Sequence, residues 1–497
     1  MEGEVSMMDK DILKIKMKGS LLGRAAGATF GKPYRGSQEP LDILFYDPEP
    51  PAGFSHCPLD FQMMWVRQLL SVPEIPLAER DFFAQNWLDH VRYPEEEYGA
   101  ALRNLRNNIM PPWSGSYDNF YSESIGGALR AGLWGALAPG RPELAVQFTY
   151  EDSCVSLDSE GIHAALYIAS LESLAFVEND LNTLLDSACD YIPEGSRLAT
   201  VIADARIFCE EEDEWEKVRR MLLKKYDCEN CSDSVMIFGF LITALLLGKG
   251  NFERTLQIAL GCGKDTTATA CLAGEICGLL DPDSIPERWL TPISQKLQFS
   301  ENILGIEPYS TLDEFIEQVQ ELSKNISFGN PMFGEAIDME QFLIPVSVGT
   351  SYRWLRWNES LSPADMDCMT TKSNLPGCFN CLDAHEISPN SLYMMKFHFT
   401  IEEKKKIRVI FNCNAISRVW IDGKFAFGRD GGWMSPSYSS VPLNQYADIE
   451  VEAGIHTLVA GVAPNQVNED IFFVVGAANC SDKQWLPFAF INGQTQE

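Results

Sequence analysis

Positive charge is in short supply. Thirty-nine lysines and arginines stand against seventy aspartates and glutamates, a formal net charge of −31 at pH 7. Nucleic acids and anionic membranes are held by cationic faces, so neither is expected as a partner. Long apolar runs are missing too: no segment reaches the roughly 20 residues that cross a bilayer. Residues 1–19 scatter Lys10, Lys14, Lys16 and Lys18 among apolar positions, so no secretory signal is expected. The fourteen cysteines follow no disulfide framework, which in a chain of 497 residues fits reduced thiols and a cytoplasmic setting. Two Cys-x-x-Cys pairs, Cys228/Cys231 and Cys378/Cys381, lie much farther apart than the pairs of a zinc ribbon, and no thiolate metal site is expected. Strand patterns are nearly absent from the first three hundred residues.

What is present centres on Gly261-Cys-Gly-Lys-Asp-Thr-Thr-Ala-Thr-Ala-Cys-Leu-Ala-Gly-Glu-Ile-Cys-Gly278. Gly261 and Gly263 permit a tight loop, and Asp265, Thr266 and Thr267 then open a helix. Ala270, Gly274 and Gly278 recur every fourth residue and line one smooth face. A carboxylate and two hydroxyls at a helix start suit a hard cation or a phosphate; the bland alternative is a plain N-cap. Near the front of the chain, Gly19, Gly23 and Gly27 repeat the four-residue spacing, ahead of a stop at Lys32-Pro33. An amphipathic helix over 60–70 begins at Asp60, and further helices are expected over 78–91, 95–106 and 122–138. Beyond them helices are expected over 141–152, 160–176, 178–190, 194–210, 213–225, 233–247, 251–260 and 266–280. Pro111–Asn119 reads as a loop.

Five blocks, Gly19–Gly36, Ile125–Gly135, Asp158–Gly161, Gly248–Phe252 and Gly261–Gly278, resemble in order and spacing those of the ADP-ribosylglycohydrolase family, over about residues 15–325. The resemblance implies an all-α fold, a central cleft with a binuclear magnesium centre, and hydrolysis of the glycosidic bond at C1″ of an ADP-ribosyl group or a related bond. It places Asp60 and Asp265 as catalytic residues, and Asp60, Asp265 and Thr267 as metal ligands. It also places Ser114, Gly115, Ser116, Asp118, Arg130, Asp158, Glu160 and Lys264 around the substrate. Departures accompany the match. The family's Thr-Asp-Asp-Thr cluster reads Pro58-Leu-Asp-Phe61, its Asp-Thr-Asp reads Asp265-Thr-Thr267, Arg35 stands where a glutamate is usual, and Leu157 where histidine is common. Two magnesium ions want about six oxygens each. Two carboxylates and a threonine supply too few, and Arg35 and Lys264 would neutralise the aspartates instead. The expectation is one weakly held magnesium or none.

From about residue 330 the composition turns to aromatics and β-formers, with strands expected from Phe342, over Tyr352–Trp357, and over 392–400, 406–413, 417–422, 447–452, 456–463 and 470–477. The fold class is therefore multidomain: an all-α domain over 1–325 and a β-sandwich over 326–497. The stretch 390–477 resembles the galactose-binding-like, jelly-roll modules appended to carbohydrate enzymes. Trp420, Trp433 and Tyr438 are candidates either for stacking on a sugar or for ordinary core positions.

Two functions compete, the first favoured and the second its alternative. One is an intracellular hydrolase of an ADP-ribosyl, nucleoside or related glycosidic bond, with Asp60 and Asp265 sharing one metal or acting as an acid–base pair. The other is a cleft that still binds a glycoside, a nucleotide-sugar or an ADP-ribosylated protein but no longer hydrolyses it. A weaker third reading is a structural scaffold for a protein partner.

Overall fold

The structure is a computed structural model that describes residues 10–48, 50, 57–72, 80–293, 297–324, 344–350, 369–373, 380–382, 391–430, 446–463, 471–481, 486 and 488–490. The chain forms two compact units, residues 1–86 with 123–332, and residues 87–122 with 333–497. Nothing in the sequence sets 87–122 apart from its helical flanks.

The helices are α1 (Lys10–Gly31), α2 (Cys57–Ser71), α3 (Arg80–His90), α4 (Glu96–Arg106), α5 (Trp113–Ser116), α6 (Gly126–Leu137), α7 (Pro142–Ser153) and α8 (Ser159–Ala175). There follow α9 (Leu181–Cys189), α10 (Arg197–Glu211), α11 (Trp215–Tyr226), α12 (Ser234–Gly248), α13 (Phe252–Gly261), α14 (Thr266–Leu280), α15 (Glu287–Leu290) and α16 (Leu312–Ser323). Many starts are set by side-chain caps: Asp180, Ser196, Asp233, Asn251, Asp265 and Thr311 each accept an amide hydrogen bond three residues ahead. One short helix, α5, interrupts the expected loop at 111–119. α1 also begins nine residues before its glycine stripe, where Lys14 reaches Glu317 (3.0 Å) and Lys18 reaches Asp313 (3.3 Å) on α16.

The helical unit is built around the antiparallel pair α1 and α14. A Cβ placed on Gly19, Gly23, Gly27 or Gly31 would lie 2.2, 2.0, 1.9 or 2.2 Å from the carbonyl oxygens of Gly278, Gly274, Ala270 and Thr266 respectively. Both expected small-residue stripes therefore face each other, backbone on backbone. Thr266 adds a hydrogen bond from its hydroxyl to the Gly31 carbonyl (2.7 Å). α12 is apolar all round and almost wholly buried, as a helix packed on every side must be.

The strands are β1 (Ile344–Thr350), β2 (Met369–Ser373), β3 (Asn380–Leu382), β4 (Ser391–Ile401), β5 (Lys405–Cys413), β6 (Ile416–Ile421), β7 (Lys424–Asp430), β8 (Tyr446–Val451), β9 (Gly454–Ala463), β10 (Ile471–Asn479) and β11 (Phe488–Phe490). Among the described residues they make two antiparallel sheets, ordered β2-β1-β4-β9-β6-β7 with β11 also on β4, and β3-β10-β5-β8. Alternate residues of both sheets (Tyr393, Met395, Phe397 and Phe399 of β4; Val409 and Phe411 of β5; Phe473 and Val475 of β10) meet in one core. That is a sandwich. Trp420 is buried with Met394 and Val459, so it belongs to the fold and offers no ring to a sugar. Trp433, Tyr438 and Tyr352–Trp357 lie outside the described residues. Among those described, no helix is long and apolar enough to cross a membrane.

Candidate functional site

The loop before α14 is shaped by two consecutive positive φ values, Gly263 (76°) and Lys264 (57°). They let Lys264 exchange backbone hydrogen bonds with the chain just after α1: Lys264 N donates to Ser37 O (2.7 Å) and Gly36 N donates to Lys264 O (2.8 Å). A Cβ at Gly263 would stand 2.7 Å from Ser37 O, so glycine is needed both for its φ and for that approach. This clamp brings Arg35 to Asp265. Arg35 Nε donates to Asp265 Oδ2 at 3.0 Å, the Ser232 hydroxyl donates to the same oxygen at 2.6 Å, and Arg35 Nη2 reaches Ser232 Oγ at 3.0 Å. The other oxygen, Oδ1, accepts the Ala268 amide at 3.0 Å as the cap of α14. Asp265 is thus buried with both oxygens engaged. Ser232 is fixed by a loop in which Ile125 N donates to Ser232 O (2.9 Å) and Ser232 N donates to Asn230 Oδ1 (3.0 Å).

Lys264 turns its own ammonium away, to Asp227 (2.5 Å) and the Cys228 carbonyl (3.3 Å). Burial pushes the Cys228 thiol up to about 12, which leaves it protonated at neutral pH. Thr267 Oγ1 is buried with no partner in the protein. Asp60, in the first turn of α2, is fully buried and receives the Ser300 amide on both oxygens (3.2 Å each).

The remaining candidates lie elsewhere in the fold. Arg130 is fully buried: Nε donates to Asp152 Oδ2 (3.0 Å), which also accepts Trp134 Nε1 (3.1 Å), while Asp152 Oδ1 accepts Trp65 Nε1 (3.1 Å). Glu160 accepts the Arg197 amide (2.8 Å) and the Leu198 amide (3.0 Å) and lies 3.2 Å from His163 Nδ1, so it caps α10 from a different helix. Burial opposes its charge, but His163 and the two amides outweigh burial and hold the carboxyl below its usual range. Asp158 occupies the N-cap position of α8 without a side-chain cap bond. In the second unit, Arg103 pairs with Asp118 (3.0 Å). Ser114, Gly115 and Ser116 form α5, with the Ser114 and Gly115 carbonyls held by Asn104 (2.9 Å) and Asn119 (2.7 Å).

A family model described as ADP-ribosylglycohydrolase matches residues 9–325. The chain belongs to the ADP-ribosylglycohydrolase family. That is a family of glycosidic-bond hydrolases. One solved structure, described as an ADP-ribosylglycohydrolase-related protein complex, is similar at 15% identity and a TM-score of 0.43, over 63% of this chain and 99% of its own. No curated protein matches.

Three features of this ADP-ribosylglycohydrolase-family chain bear on a binuclear magnesium centre. Among the described residues no three His, Cys, Asp or Glu side chains gather, Leu59 is a buried apolar residue, and a guanidinium sits on Asp265 where a cation would need to bind. The sequence pattern set Arg35 and Lys264 against both aspartates; Arg35 does reach Asp265, but Lys264 pairs with Asp227 instead. That pattern missed Ser232 and Asp227. Both lie in the 227–233 loop, more than thirty residues from the helix they serve, with no local pattern to signal the contact.

Proposed function

We propose that this chain recognises a glycoside or nucleotide-sugar, ADP-ribose being the family's own ligand class, and does not hydrolyse it by the magnesium route. The observation that carries this reading is the Arg35–Asp265–Ser232 triad. A carboxylate that already holds a guanidinium and a hydroxyl is neutralised and immobilised, so it neither collects a divalent cation nor gives up its bonds cheaply to orient water. The Thr267 hydroxyl, buried one residue into α14 and without a partner, is the natural contact for a ligand oxygen at this helix start.

The test is calorimetric titration of the full chain with ADP-ribose, beside turnover assays on ADP-ribosyl, nucleoside and aryl-glycoside substrates with and without magnesium. Binding without turnover, weakened at least tenfold by Thr267→Val, supports the proposal. Magnesium-dependent turnover that Asp265→Asn abolishes would instead establish a hydrolase with a ligand set assembled from other residues. Restoring acids by the triple change Arg35→Glu, Leu59→Asp and Thr267→Asp should give magnesium binding tighter than that of the natural chain.

A further inference from the structure

Away from that corner, the helical unit buries a second cluster of charge. Arg24 of α1 pairs with Glu275 Oε2 of α14 and donates to the Leu129 carbonyl, all inside the core. Glu172 of α8 is equally buried, yet its Oε1 has no partner in the protein. The two carboxylates converge on Gly132 of α6, where an added Cβ would stand 2.6 Å from Glu275 Oε1 and 2.7 Å from Glu172 Oε2. A cavity of ≈ 20 Å³ opens beside them; both glutamates, Gln62 of α2, Ser20 of α1 and Gly132 line one part of it, and apolar side chains, among them Leu21, Leu133 and Phe315, form the rest of its wall. That is room for one water-sized occupant. Gln62 is itself buried, and its Nε2 has no partner.

Buried polar atoms in native proteins are satisfied, so two orphans facing one cavity point to an occupant. Charge decides which. Arg24 contributes one positive charge and the glutamates, when both are ionised, two negative ones. Burial raises both carboxyls, Glu172 well above its usual range with the charge of Glu275 adding to it, so one of them holds a proton unless a cation enters. The Cys271 thiol beside them is pushed up to about 12 by burial and stays neutral, and the more distant Asp265 has its own cation in Arg35. With both glutamates ionised the cluster is one positive charge short in a low-dielectric interior, where an uncompensated charge is costly, so a monovalent cation competes with that proton. A divalent ion would overshoot by one. The available ligands are also all of the hard kind: carboxylate oxygens, the Ser20 hydroxyl, and the Gln62 amide, which presents an oxygen when turned over.

We infer that this cavity binds one small monovalent cation through oxygens of Glu172, Glu275, Gln62 and Ser20. It is independent of the site at Asp265 and needs no glycoside.

The experiment is thermal unfolding of the full chain in sodium, potassium, ammonium and choline chlorides at matched ionic strength, choline being too large to enter. The expected result is a saturable rise in Tm with one or more of the small cations, about 2 °C per tenfold above the Kd, and none with choline. Glu172→Gln removes the charge deficit and should abolish the cation response, while melting in choline at least as high as the natural protein. Should that variant fail to fold, Gly132→Ala, which crowds the cavity, should blunt the response at least tenfold in apparent affinity. Crystals grown in rubidium should show an anomalous peak in contact with Glu172. Equal melting in all four salts overturns the inference and leaves a shared proton as the missing charge. A cation response that survives in Glu172→Gln overturns it as well, by placing the ion elsewhere.

Discussion

The two units solve the burial problem in opposite ways. At the α1–α14 seam stability comes from side chains that are absent: four glycines of α1 let the backbone lie against the carbonyls of its partner helix. In the sandwich it comes from large side chains, with Phe411 and Phe473, on neighbouring strands of one sheet, stacked at 5.7 Å in the core. A glycine seam has no slack, because the neighbouring atoms are backbone and cannot change rotamer. An interdigitated aromatic core relaxes in part around any change.

That contrast can be broken by substitution. Gly23→Leu should be the most damaging change in the molecule, costing more than about 4 kcal/mol, since its side chain would have to occupy the place of the Gly274 carbonyl. Soluble yield and amide-exchange protection in α1 and α14 are the readouts. Phe411→Ala should cost about 3–5 kcal/mol in chemical denaturation, with the sandwich still assembled. A sharper version is Gly23→Ala. Glycine to alanine inside an ordinary helix stabilises by about 1 kcal/mol, and here the sign should reverse. A stabilising Gly23→Ala would show that the helices are farther apart than the seam requires.

The smallest effect concerns Glu160. Its folded pKa is depressed, so its contribution is fully present above the ordinary value of 4.5 and is lost as pH falls through the lower folded value. Glu160→Gln should cost about 1 kcal/mol near neutrality, and the gap from the natural protein should close as the solution is acidified below 4.5. No gap at neutral pH would mean that the amide caps Arg197 and Leu198 as well as the carboxylate does, and a gap that stays constant with pH would mean that the charge of Glu160 is not its source.

What could be read in advance follows from range. The glycine stripes and the cap at Asp265 are local patterns, and they marked both seam helices correctly. Most sandwich strands announced themselves by alternation, as Tyr393, Met395, Phe397 and Phe399 show. β7 did not, because Gly428-Arg-Asp430 dilutes its apolar pattern. The site was legible only by residue type. Arg130 and Glu160 sit in family blocks, but their partners, Asp152 on the next helix and the first amides of α10, are chosen by tertiary packing. Lys264 is sequence neighbour to Asp265 and spatial partner to Asp227, because a positive φ at Lys264 itself redirects the chain.

The seam also has a consequence in time. Gly23 and Gly274 touch, yet 251 residues separate them along the chain. At about 5–20 residues per second, a ribosome needs on the order of ten seconds or more to deliver the second after the first. Through that interval the newborn α1 shows a bare stripe of backbone, too smooth to hold any other helix firmly and unable to bury itself alone. The helical unit therefore closes late, when its last long glycine-bearing helix arrives, and the nascent chain depends until then on whatever attends the ribosome exit.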